Sequence, residues 1–414
     1  NHIGRPEHWL NTVEAEMYAA TKTHLAAAYE QCRAKGTKKE KWVKDNPGQV
    51  TITSGCIHWT SQCERALADT EDVNEALKKL RRKWIQYLNQ LVAMTRSTLD
   101  KVTRKKLTAL ITIEVHARDT IEKLIKNGCA ARDDFEWVSQ LRFYWESEIK
   151  HCTVRQVLSV FDYGYEYQGN NGRLVVTPLT DRCYMTLGAA MYTRRGGNPL
   201  RPAGTGKTET VKDFGKALAR YVIVFNCSDG VDYKMTGKMF SGLAQTGAWA
   251  CLDEFNRITV EVLSVVATQI SVVMAAVKQN AKMFDFEGQR IRLIPSCGVF
   301  VTMNPGYAGR AELPDNLKAI VRPVSMMVPD FCLIAEIMLF SEGFTNAKPL
   351  AKKMVAIMEM SQQQLSKQDH YDYTLRSFII PISRAAGTKK RESPQTEEQV
   401  ILFNAMSELI VPKL

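Results

Sequence analysis

Cysteine pairs at C-x-x-C spacing are missing. Ten cysteines are scattered through 414 residues, and none of the seven histidines stands near them at zinc-ligand spacing. That argues against a zinc site and, in a chain this size, for free thiols in a reducing compartment. Long uninterrupted apolar runs are also missing. The longest, Val262 to Val277, carries Thr268, Gln269 and Ser271 and is short for a bilayer crossing, so it reads as a buried helix with no membrane role. The opening residues show no leader pattern, and no internal repeat is visible. The chain starts at Asn1 rather than Met and stops at Leu414, and is expected to be a piece of something longer.

What is present is an ordinary globular balance, 45% apolar and 24% charged, enough for a sizeable core in two or three domains. The net charge is +11, with basic runs at Lys35 to Lys44 and Lys78 to Lys83. Lys and Arg alternate there with helix formers and without an aromatic platform. They read as solvated helix faces or loops, and no nucleic-acid partner is expected.

The first 165 or so residues read as mostly helical. Asn11 to Ala34, Glu71 to Ser97 and Leu107 to Lys126 carry apolar residues at helical spacing, as in Val73, Leu77, Leu80, Trp84, Leu88 and Leu91. Lys35 to Gln49 reads as a loop. Phe135 to Tyr144 is rich in aromatics and reads as a helix, packed in a core or offering a docking face. Asp162 to Gly172 reads as a connector. Short β-rich runs then alternate with helices: Tyr221 to Phe225, Ala248 to Leu252 and Gly298 to Thr302. This alternation predicts an α/β fold with a parallel sheet covered on both faces. Met283 to Leu293 alternates around Gly288 like an inserted hairpin. From about Thr345 the chain turns helical again.

Three motifs carry chemistry. Gly204-Thr205-Gly206-Lys207-Thr208 opens a helix. Glycines let the backbone curl so that several N–H groups and a helix dipole face a polyphosphate. Lys207 would reach the β- and γ-phosphates, and the Thr208 hydroxyl would bind Mg2+. The full P-loop pattern has Gly where this chain has Arg201. Either the loop is strained there by roughly 1–3 kcal/mol, or the guanidinium lies beside the phosphates and offsets that cost. The second motif, Trp249 to Glu254, is an apolar strand ending in two carboxylates. Asp253 would hold Mg2+, directly or through water, and Glu254 would orient the attacking water. An Asp-Glu pair can also merely cap a helix, but its place 46 residues after Lys207 favours the site. Third, Asn304 ends the run Phe300 to Asn304, where ligands of parallel sheets bind. It could contact the γ-phosphate or the water; an Asn before Pro is otherwise a turn residue.

The runs TPLTDRCYMTL, PAGTGKTET, VFNCSDGVDYKMTGKMFSGLAQTGAW, DEFNR, TMNPGYAGR and LPDNLK resemble the first AAA+ module of dynein heavy chains. FEWVSQLRFYWE and YGYEYQGNNGRLVVTPLTDR resemble the end of the dynein linker and its entry into that module. The central run is more similar to axonemal than to cytoplasmic dyneins. The resemblance implies a helical linker end over residues 1–165, a P-loop α/β domain over 166–344 and a small helical domain over 345–414. It implies ATP and Mg2+ as ligands, held by Pro202, Ala203, Gly204, Thr205, Gly206, Lys207, Thr208 and Glu209, with Leu179 and Thr180 lining the adenine pocket. Asn304 matches sensor I, Arg376 the sensor II arginine, and Arg322 an arginine finger serving a neighbouring module. Implied partners are the rest of the heavy chain, microtubules, and intermediate and light chains. The implied place is the axoneme of a cilium or flagellum. Two other readings stay open: a regulatory module that holds nucleotide without hydrolysing it, and a small-molecule kinase sharing the P-loop.

Overall fold

The computed structural model describes residues 6–34, 36–69, 72–200, 206–228, 230–303, 313–366, 368 and 371–413. The chain opens with α1 (Pro6–Arg33), α2 (Lys39–Asp45), α3 (Gly48–Ala66), α4 (Val73–Thr95), α5 (Lys101–Lys126) and a single turn, α6 (Phe135–Val138). Three strands follow: β1 (Arg142–Glu146), β2 (His151–Gln156) and β3 (Ser159–Asp162). The alternating region begins with α7 (Pro178–Tyr192), β4 (Gly196–Leu200), α8 (Lys207–Ala217), β5 (Val222–Asn226), α9 (Tyr233–Thr246) and β6 (Trp249–Asp253). It continues through α10 (Val260–Lys278), the hairpin β7 (Met283–Phe286) and β8 (Gln289–Arg292), β9 (Gly298–Val301), α11 (Asp315–Ile320) and β10 (Val321–Ser325). Helices α12 (Phe331–Ser341), α13 (Ala347–Gln364), α14 (Ile380–Glu392) and α15 (Glu398–Ile410) close the chain.

The chain forms two compact units. One gathers residues 1–21, 138–168 and 178–327; the other gathers 22–137, 169–177 and 328–414. These units cut across the stretches expected from sequence, because 138–165 groups with the α/β region and 345–414 groups with the early helices.

The first unit holds a five-stranded sheet in the order β10-β4-β9-β6-β5, every neighbour parallel. All three strands read from the sequence are there. Two strands were not expected, β4 (GGNPL) and β10 (VRPVS), because Gly and Pro hide their β character. In β4 the glycines are required by packing: a Cβ on Gly197 would stand 2.5 Å from Leu187 Cδ2 and 2.8 Å from Phe300 Cδ1. Pro323 is tolerated because β10 lies at the sheet edge. Helix α10 is long and apolar enough to cross a membrane by length and composition. Its Val266, Ala267, Ile270 and Val273 are fully buried in the core that β6 and β9 share. The expected hairpin is present as β7–β8.

A separate antiparallel sheet, β1-β2-β3, packs against the same unit. It corrects the expectation of a helix from Phe135 to Tyr144. Only α6 is helical, and Phe143 to Trp145 lie in β1, paired with β2. Phe161 of β3 meets Phe214 of α8 edge-on at 6.3 Å. Just beyond, the connector is bound to the end of α8. Gly164 N–H donates to Leu218 O at 2.8 Å, Glu166 N–H to Ala219 O at 3.1 Å, and Gln168 Nε2 to Arg220 O at 3.2 Å. Arg220 Nη2 returns a bond to Asp162 O at 3.1 Å. Tyr163 and Tyr165 are buried beside it.

The second unit is helical. Asp72 caps α4 by accepting from Glu75 N–H, and Asp100 caps α5 by accepting from Val102 and Thr103 N–H. The stripe Leu77, Leu80, Trp84, Leu88 and Leu91 is buried as its spacing predicts. The segment expected to be a loop, Lys35 to Gln49, contains α2, and α3 begins at Gly48. Its Lys-rich composition hides an anchor: Trp42 and Val43 are buried, and Trp42 Nε1 donates to Ala28 O at 3.0 Å. Helices α12 to α15 enclose a core around Phe344, Leu350, Met354, Phe378 and Ile382.

Candidate functional site

The carboxyl ends of β4, β6 and β9 converge in the middle of the parallel sheet, where this topology places ligands. β4 runs into the glycine-rich segment, β6 into the acidic pair, and β9 toward Asn304. Arg201, Pro202, Ala203, Gly204, Thr205 and Asn304 lie outside the described residues, as do Tyr307 and Arg310 of the GYAGR run.

The described part of the glycine-rich segment ends at Gly206, which has φ +83°. That left-handed conformation is why glycine is needed there. Helix α8 starts directly after it, and among the described residues no side chain caps its N-terminus, which attracts anions. Lys207 is the first helical residue and is buried. The Thr208 hydroxyl donates to Asp253 Oδ1 at 2.6 Å. Glu209, in the same turn, is paired with Lys212 at 2.7 Å.

Asp253 closes β6, a strand buried on both faces. Its Oδ1 also accepts from the Thr302 hydroxyl. Glu254 follows in a left-handed conformation, φ +53°, uncommon for a residue with a side chain. Its N–H donates to Thr302 Oγ1 at 3.1 Å, and its Oε2 is ion-paired with Arg257 Nη1 at 2.6 Å. Nearby, burial and then the Asp253 and Glu254 carboxylates push the Cys227 thiol up to about 12. The adjacent Asp253 and Glu254 carboxylates are groups suited to a cation.

The donor set fits Mg2+. A threonine hydroxyl and a carboxylate are hard oxygen ligands, and the hydrogen bond between them brings both to one point. Leu179 and Thr180 sit half-buried in the first turn of α7. That helix is tied to α8 by Tyr184 OH donating to Asp213 Oδ2 at 2.6 Å. Arg322 lies exposed on β10. Arg376 lies exposed in the helical unit, in a wide turn, Leu375–Ile379, that leads into α14.

Within the first unit the structure brings Lys207, Thr208, Asp253 and Glu254 into one site. Two contributors were missed from sequence. Thr302 was quoted only within a motif, and Arg257 only within DEFNR. The first could have been found from a polar residue ending an otherwise apolar strand. The second could have been found from an opposite charge three residues after a carboxylate.

Comparison with known proteins gives the chain's relatives. Residues 163–414 match the family model described as the hydrolytic ATP binding site of the dynein motor region. The chain is 74% identical over 411 residues to the dynein-1-beta heavy chain of the flagellar inner arm I1 complex of Chlamydomonas reinhardtii, covering 99% of this chain and 9% of that protein. It is 50% identical over 413 residues to human dynein axonemal heavy chain 2, again 99% of this chain and 9% of the relative. It is 46% identical over 412 residues to the ciliary dynein beta chain of Tripneustes gratilla, with the same two coverages. The chain thus spans about a tenth of the length of these relatives. With an AAA+ α/β fold, that family match and these identities, it belongs to the dynein heavy chain family.

Proposed function

We propose that this segment binds ATP with Mg2+ and hydrolyses it as a motor module. The carrying observation is the bond between Thr208 and Asp253 in the first turn of α8, with Glu254 one residue on. Main-chain amides around 204–208 and the Lys207 ammonium grip the triphosphate. Thr208 and Asp253 would hold the metal, which would supply positive charge to stabilise the transferring phosphoryl. Glu254 orients the attacking water once it leaves Arg257. Asn304 and, from a neighbouring module, an arginine equivalent to Arg322 meet the γ-phosphate, roles carried by the family resemblance, which also implies the sensor II role for Arg376.

In the heavy chain, residues 1–165 act as the end of a linker, 166–344 as the large domain and 345–414 as the small domain. Hydrolysis there drives linker swing and microtubule-based movement in the axoneme of cilia or flagella, with intermediate and light chains as partners. The test is single-turnover hydrolysis in the heavy chain. Glu254→Gln is expected to slow turnover by about 10²-fold or more with nucleotide binding retained; unchanged turnover refutes the assignment. A module that holds nucleotide without hydrolysis is the second reading, favoured by the Glu254–Arg257 pair. It predicts no turnover in either protein.

A further inference from the structure

Thr302 makes four contacts on four consecutive residues of the acidic turn. Its N–H donates to Leu252 O at 2.9 Å, and its carbonyl accepts from Phe255 N–H at 3.0 Å. Its hydroxyl accepts from Glu254 N–H at 3.1 Å and donates to Asp253 Oδ1. The residue is fully buried at the end of β9. Two of these bonds are main-chain and any residue could make them. The other two need a hydroxyl, and they fall on the two carboxylate-bearing residues of the site.

We infer that Thr302 is a positioning residue for metal–nucleotide binding: its hydroxyl orients the Asp253 carboxylate toward Thr208 and pins the left-handed Glu254 backbone. This rests on the nucleotide-site reading above. Oδ1 of Asp253 accepts from Thr302 and Thr208 together, so the carboxylate is held from two sides before any cation arrives. A carboxylate fixed in advance loses less rotamer freedom when it takes a metal. The αL conformation of Glu254 carries its own cost, and the bond from its N–H to Thr302 offsets part of it. Valine has the same shape as threonine but offers neither bond.

The experiment uses the heavy chain and a fluorescent ATP analogue, with equilibrium binding read as a function of Mg2+. Thr302→Val is expected to raise the Mg2+ concentration at half-saturation by about tenfold, while binding in EDTA is unchanged. Thr302→Ser is expected to stay within about twofold of the parent. In an Asp253→Asn background Thr302→Val is expected to add nothing, which a general packing defect would not reproduce. If Thr302→Val does not fold, Thr302→Ala removes the same hydroxyl with less crowding and is read in the same way. A parent-like Mg2+ dependence in the hydroxyl-free variant, while Asp253→Asn weakens it, overturns this inference alone. If Asp253→Asn also has no effect, the nucleotide-site reading itself fails.

Discussion

Gly164→Ala should destabilise the nucleotide-binding unit through the connector, far from any ligand. A Cβ at Gly164 would lie 2.3 Å from Ala219 O, 2.8 Å from Arg220 Cδ and 3.0 Å from Ala219 C. Two of those atoms are backbone, in the left-handed turn at Ala219 (φ +50°) that ends α8, so no side-chain rotation relieves them. Accommodating the methyl means separating the connector from the turn. The bonds Gly164 N–H to Leu218 O and Glu166 N–H to Ala219 O are then lost or stretched. Two such bonds are worth about 0.5–1.5 kcal/mol each, and crowding adds about 1–3 kcal/mol. The sum is on the order of 2–6 kcal/mol, or roughly 4–24 °C in melting temperature at about 2–4 °C per kcal/mol for a unit of this size. The assay is thermal unfolding beside Gly172→Ala, whose Cβ would meet nothing within 4 Å and should change stability by less than about 0.5 kcal/mol. Equal melting of the two variants would refute the claim that the connector is tightly bound to α8. The claim matters because α8 carries Lys207 and Thr208 at its other end, about 16 Å away along the helix.

Two further outcomes are expected. Arg257→Ala frees Glu254 from a half-exposed pair worth about 0.2–1 kcal/mol after screening, so single-turnover hydrolysis should rise by up to about fivefold; a fall of more than about twofold would show that Arg257 supports the reaction instead. Glu114 is buried, accepts from Trp84 Nε1 at 2.8 Å and is pushed up by burial from 4.5 to about 7. The native state therefore holds a proton that the unfolded chain releases between pH 4.5 and about 7. The stability it contributes is complete below 4.5 and falls by about 3 kcal/mol as pH rises to 7 and above. Glu114→Gln should melt like the parent at pH 5 and higher than the parent at pH 8. Parallel melting curves at both pH values would contradict the assignment.

The parts legible in the sequence were those where one pattern acts alone. The apolar strands β5, β6 and β9, the stripe on α4 and the hairpin turn at Gly288 followed from periodicity. β4 stayed hidden because its glycines serve neighbours, Leu187 and Phe300, that only the fold brings near. α2 stayed hidden because two buried residues, Trp42 and Val43, outweigh a run of lysines. β1 was misread because aromatic residues suit a helix core as well as a sheet face. At the site, Lys207, Thr208, Asp253 and Glu254 were readable from their motifs. Thr302 and Arg257 act through contacts across strands or one turn, which spacing in a single sequence does not display.

Equilibrium binding of a fluorescent ATP analogue to this chain, parent against Lys207→Ala, tests the central claim most directly. Loss of an ammonium that contacts phosphate should weaken binding at least about tenfold, with melting nearly unchanged. Equal affinity in the two proteins would mean that the start of α8 does not hold the triphosphate.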